Sequence, residues 1–240
     1  MNFRSRVIPT AVATLAFGLS TSAQAAANLV PNGSFESGNT QFTSDYAFTP
    51  GGNSTEGQYT VRTNPFPWNG AFVSIGDHTS GTGQMMVVNG SPVSGAVVWK
   101  SDAISVGAST SYFFEAFVNN VCCSTLNFGP GSESILEFSL SFDGDAAESL
   151  GTIATDLDLA GTWEGLSTQW VSSAAGSVVL SLVNRNTNRG GNDFAIDDVY
   201  FGTRSIVNPP PIPEPSTWAL MGLGLVGVGA AVRRQRAPRG

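Results

Sequence analysis

The residue whose type most directly offers chemistry is His78, the only histidine in 240 residues. It stands between Asp77 and Thr79 in a loop of Gly, Ser and Thr. A histidine beside an acid could serve a Ser-His-Asp relay, but that relay needs a nucleophile on a strained turn, and no G-x-S-x-G stretch is present. Phosphate loops, the dinucleotide fingerprint and H-E-x-x-H are missing as well. Glycoside hydrolysis would need only two suitably spaced carboxylates, and residues 26–212 contain seventeen Asp and Glu. Against them stand five basic residues, Arg62, Lys100, Arg185, Arg189 and Arg204, a net charge of −12. A surface so acidic repels phosphate backbones, which excludes nucleic acid as a partner.

The two cysteines, Cys122 and Cys123, are neighbours. Adjacent thiols cannot staple distant segments, and too few Cys and His accompany them for a soft-metal cage. They either close on each other in an oxidising compartment or pair with another chain.

Whatever chemistry exists must be positioned by strands. Short runs at period two recur between turn residues, and no long amphipathic helix interrupts them. In Ile135–Phe142 the residues Leu136, Phe138, Leu140 and Phe142 share one face, and Asp143-Gly144-Asp145 ends the run. Val178–Val183 repeats the pattern, while Tyr112–Val118 is aromatic on both faces and calls for cover on both. Further strands are expected at Leu29–Phe35, Tyr59–Arg62, Ala71–Ile75, Met85–Asn89, Val97–Ser101, Gly165–Val171 and Asp193–Phe201. Loops are expected at Gly51–Gly57 and Ser124–Ser134. About ten strands with Gly, Ser and Asn turns predict an all-β antiparallel sandwich of jelly-roll type, spanning 26–204.

Both ends read as addresses. Arg4 and Arg6 precede the apolar run Val7–Leu19 and the small-residue site Ala23-Gln24-Ala25, the layout of a secretory signal peptide over 1–25. After a Pro-rich linker at 205–212 come Pro213-Glu214-Pro215-Ser216, an uncharged run at 217–232 and a basic tail at 233–240 beginning with Arg233 and Arg234. As a helix, the apolar stretch of Ser216–Val232 would reach about 25 Å, short for a hydrocarbon core of ~30 Å but extensible by Trp218 and by snorkelling arginines. The positive end would stay in the cytoplasm and leave the body outside the inner membrane.

Three pieces of the body occur in a telling order: Asn28-Leu29-Val30-Pro31-Asn32-Gly33-Ser34-Phe35-Glu36, Gly161-Thr162-Trp163-Glu164, and Gly191 to Phe201 with Ile196-Asp197-Asp198-Val199. Together they resemble the galactose-binding-like jelly rolls found in carbohydrate-binding modules. The resemblance implies a structural Ca²⁺ between the first and last strands, held by the side chains of Glu36 and Asp197 and by backbone oxygens of Ser34 and of 81–84, with Gln84 closing that segment. Strand alternation places Asp198 on the face opposite Asp197. The resemblance also implies glycan contact through aromatic platforms, and Trp68 in an Asn/Pro loop and Trp99 are the candidates. The polar segment with Asn184, Asn186, Asn188, Asn192, Arg185 and Arg189 either lines a binding face or is a solvated turn.

The C-terminal pattern resembles the PEP-CTERM sorting domain. That resemblance implies a membrane protease of the exosortase type as partner, acting after signal peptidase and a passage through the inner membrane. The chain is then a substrate with no active site of its own. The sequence thus predicts an exported, non-catalytic protein of the cell surface or extracellular matrix that contacts exopolysaccharide. A surface hydrolase and a purely structural matrix protein are the alternatives.

Overall fold

The computed structural model describes residues 27–122 and 131–209. The expected signal peptide, sorting motif, membrane helix and basic tail lie outside them, as does Cys123. The described chain belongs to one compact unit, Ala26–Pro210.

Among the described residues twelve strands form two sheets: β1 (Phe42–Thr43), β2 (Ala47–Phe48), β3 (Gln58–Arg62), β4 (Met85–Asn89), β5 (Val97–Ser101), β6 (Ile104–Val106), β7 (Ser111–Asn120), β8 (Ile135–Phe142), β9 (Glu148–Ala154), β10 (Trp163–Val171), β11 (Gly176–Asn184) and β12 (Phe194–Gly202). One sheet runs β1-β5-β11-β8-β9, with β6 also on β11; the other runs β10-β7-β12-β4-β3-β2. All pairings are antiparallel except β2 with β3. This is the predicted all-β jelly-roll sandwich.

The core lies between the sheets. Phe114, Ala116 and Val118 of β7, Leu136, Phe138 and Leu140 of β8, and Val178, Leu180 and Leu182 of β11 fill it, as their alternation requires. The run Met85-Met86-Val87-Val88 has no polar face, and the structure gives it two apolar surroundings. Met86 and Val88 join the central core, while Met85 and Val87 face outward beneath Trp68 and Phe72. Residues 63–84 thus act as a lid on part of the outer face of this sheet, tied down by Val73 N donating to Val121 O at 2.8 Å.

Two expected strands are absent. Leu29–Phe35 is a turn, because Asn32 and Phe35 adopt positive φ (51° and 57°), which extended pairing forbids. Asn32 builds that turn by donating to the carbonyls of Gly38 and Thr40 and accepting from Ser37 N. Ala71–Ile75 belongs to the lid, where its apolar residues pack without a strand partner. At the other end, residues 205–208, read from the sequence as linker, lie against β7 and extend the domain to Asn208.

Candidate functional site

The first and last segments meet, as the resemblance implied. Asn28 Nδ2 donates to Val199 O, Val199 N donates to Gly33 O, and Leu29 N donates to Phe201 O. Gly33 is obligatory here, since a Cβ would stand 2.0 Å from Val199 O. This zipper sets Glu36 and the Asp197-Asp198 pair beside the loop 77–84.

Each acid takes a different part of that loop. Glu36 Oε1 accepts from Gln84 N at 2.8 Å, and Gln84 Nε2 donates back to Glu36 O. Asp77 accepts from Ser80 N and Gly83 N, which hold its carboxyl below the ordinary carboxylate range despite the opposing effect of burial, the largest single influence. A Cβ on Gly83 would stand 2.1 Å from Glu36 Oε1 and 3.0 Å from Asp77 Oδ2, so the two carboxylates converge on one spot. Sequence reasoning passed over Asp77 as a neighbour of Glu36, because the meeting depends on how the loop curls.

Asp197 works at the other end of the loop. Its Oδ2 accepts from His78 N at 2.8 Å and Thr79 N at 3.2 Å, and its Oδ1 from Asp198 N. Asp198 does not point to the opposite face. Its φ of 47° and the register shift between Asp197 and Tyr200 form a bulge that turns its carboxylate to the same loop. Asp198 Oδ2 lies 2.7 Å from His78 Nδ1, and Oδ1 accepts from Thr79 Oγ1 at 2.8 Å. Burial, then the charge of Asp198, pushes the Asp197 carboxyl up to about 7. The His78 ring is stacked on Phe117, centroids 3.5 Å apart, with Trp163 edge-on at 5.9 Å.

Among the described residues no three His, Cys, Asp or Glu side chains gather as a metal cage. Hard oxygens nevertheless suit Ca²⁺. Glu36 and Asp77 supply them at one spot, with Ser34 in the adjoining turn. Asp197, like Asp77, has both oxygens accepting from N–H donors, His78 N and Asp198 N in the one case and Ser80 N and Gly83 N in the other.

The aromatic candidates fare differently from expectation. Trp68 is 3% exposed and Trp99 1%, so neither presents a ring to a dissolved sugar. Trp68 packs on Phe72 while its Nε1 donates to Thr49 O at 2.8 Å, and Trp99 lies in the central core against Phe114. The asparagine segment is divided: Asn184, Asn186 and Asn192 are buried, while Arg185, Asn188 and Arg189 are exposed. Asn186 Nδ2 donates to Gly131 O and Glu133 O, and Asn192 Nδ2 to Asn186 O.

A pocket of about 310 Å³ opens where β1–β3 approach the turn before β5. Its lining combines Tyr46, Val93 and Ala96 with Asp45, Ser91 and Ser94, and includes Gly57 and Gly95. Tyr46 is fixed by accepting from Ser91 N, and Asp45 by accepting from Val97 N. The nearby cations are spent on ion pairs, Arg185 with Glu137 and Arg189 with Glu56, both at 2.7 Å.

Comparison with known proteins adds the address. Residues 211–235 match the family described as the PEP-CTERM protein-sorting motif. The chain carries that motif. It marks an exported protein and implies processing by an exosortase at the membrane. No curated protein matches the chain. Among solved structures, the tandem CBM22-1–CBM22-2 domain of Paenibacillus barcinonensis Xyn10C is similar at 16% identity, TM-score 0.46, over 79% of this chain and 50% of that one. A family 61 carbohydrate-binding module in complex with β-1,4-galactotriose is similar at 14% identity, TM-score 0.46, over 74% and 99%. An arabinose-bound α-L-arabinofuranosidase is similar at 12% identity, TM-score 0.48, over 73% and 26%. The chain spans about a quarter to a half of the larger structures it matches.

Proposed function

We propose that this is an exported, non-catalytic glycan-contacting protein, released by an exosortase to the cell surface or the polysaccharide matrix. The observation that supports it is the pocket at Tyr46, whose volume of about 310 Å³ suits a sugar ring. Serine hydroxyls and the Asp45 carboxylate are partners for sugar hydroxyls, and Val93 and Ala96 offer an apolar surface beside them. With Trp68 and Trp99 buried, glycan contact moves from those rings to this pocket.

Screening the purified full-length chain against neutral and acidic polysaccharides tests the reading. Binding that Ser94→Trp abolishes, by filling the pocket from an exposed position, is the expected result. Binding that survives this change overturns the pocket assignment, and no binding to any polysaccharide leaves a structural matrix protein. Reducing-sugar release from a bound polymer would instead establish the hydrolase.

A calcium ion beside the 77–84 loop belongs to the same proposal, with Glu36 and Asp77 as its carboxylate ligands. When bound, it would neutralise the two acids and fix the lid to the N-terminal turn.

A further inference from the structure

Glu115 lies on the outer face of β7 and is fully buried. A carboxylate there needs donors, and four reach it. Ser167 Oγ of β10 donates at 2.5 Å, Ser205 Oγ at 2.5 Å, Ile206 N at 2.5 Å and Val207 N at 3.3 Å. Three of the four therefore come from the segment that follows the last strand. Ser205 Oγ in turn accepts from Asn208 N at 2.7 Å. The segment is also packed: a Cβ on Gly165 would stand 2.9 Å from Val207 Cγ1 and 3.0 Å from Phe117, so a side chain there would have to displace Val207. A buried acidic side chain holding consecutive backbone amides is an expensive feature unless it fixes something, and what it fixes is the segment 205–208 against β7.

From Asn208 to Pro213 there are five residue steps, a reach of at most ~18 Å when fully extended. A protease that takes its substrate as an extended chain cannot engage 205–207 while their amides are held by Glu115.

We propose that Glu115 with Ser205, Ile206 and Val207 forms a latch that sets the N-terminal limit of processing: the bond cut during sorting lies C-terminal to Asn208, and the mature protein keeps the latch whole. This rests on the reading that the sorting motif is processed, and two measurements keep the two claims apart.

The first is the C-terminal mass of the protein recovered from the cell exterior, expected to end at residue 208 or beyond. A mature chain ending before Asn208 overturns the latch, whereas an uncut chain overturns the processing reading alone. The second judges the latch without any sorting enzyme. Digestion of the purified full chain by a broad-specificity protease is expected to leave a stable core ending at 208 or beyond. Ser205→Ala and Gly165→Ala are expected to raise the rate of cutting within 205–208 at least tenfold while the rest of the core stays intact. Glu115→Gln should do the same if it folds, but the two milder variants carry the test. A wild-type core that ends before Ser205, or variants cut at the wild-type rate, overturns the proposal.

Discussion

Asp197 and Asp198 are consecutive on β12, yet both carboxylates grip the same two residues, His78 and Thr79. The left-handed backbone of Asp198 makes this possible and carries a cost of about 1–2 kcal/mol for an ordinary side chain, less for Asp or Asn. Asp198→Asn should therefore be mild, because asparagine tolerates the conformation and can still accept from Thr79. Asp198→Ala should cost roughly 2 kcal/mol, through lost hydrogen bonds and strain together. Denaturant unfolding of the two variants checks this, and equal losses would show that the bulge is not set by residue 198.

If Ca²⁺ sits by Glu36 and Asp77, millimolar Ca²⁺ will raise the melting temperature of the purified protein and EDTA will lower it. Glu36→Gln should abolish the difference while changing the EDTA value little. Indifference of the wild type to both would remove calcium from the account.

Asp193 shares the pH dependence with Asp197, whose carboxyl is likewise raised to about 7. Asp193 is buried, with Oδ1 accepting from Gly90 N at 2.9 Å, and burial raises its carboxyl from an ordinary 3.8 to about 7. A carboxyl with a raised folded-state pKa favours the fold in its protonated form. Its contribution is whole below about 3.8 and is lost as pH rises through about 7. Stability should thus fall between pH 5 and pH 8 by roughly 2–4 kcal/mol from this group. Asp193→Asn should make that part of the profile shallower by this share and leave the share of Asp197, measured in EDTA by urea unfolding at several pH values. An unchanged slope would assign it elsewhere.

The sandwich was legible because its strands alternate. Ile135–Phe142 and Met85–Asn89 have the predicted bounds, and the meeting of the N-terminal turn with β12 was implied by the resemblance to galactose-binding-like jelly rolls. The shorter strands β1, β2 and β6 were not legible, being two or three residues long with no period to read. Nor could spacing reveal a bulge. One left-handed residue reverses the face that alternation assigns, which is why Asp198 was misplaced. Trp68 misled for a related reason. A Pro/Asn loop predicts a turn, but whether that turn stands in water or lies on a sheet depends on the outward apolar row of Met85 and Val87, far along the chain. Glu115 reads as an outward strand residue, and only the returning segment 205–208 explains its burial.

The tightest glycine of the body offers the last test. Gly90 follows β4, and a Cβ there would stand 1.9 Å from Asn192 Oδ1 and 2.4 Å from Asn192 O. Both belong to a buried residue tied through Nδ2 to Asn186 O, so the neighbour cannot yield without breaking the asparagine network. The same glycine amide also holds Asp193. Gly90→Ala should therefore destabilise by about 3 kcal/mol, at the upper end of ordinary overpacking. Gly144→Ala is the control: that glycine has open space around it and pays only for its positive φ of 85°, so its loss should be about 1 kcal/mol. Urea unfolding of both variants gives the comparison. A Gly90→Ala protein no less stable than Gly144→Ala would mean that Asn192 moves aside at little cost despite its bond to Asn186 O.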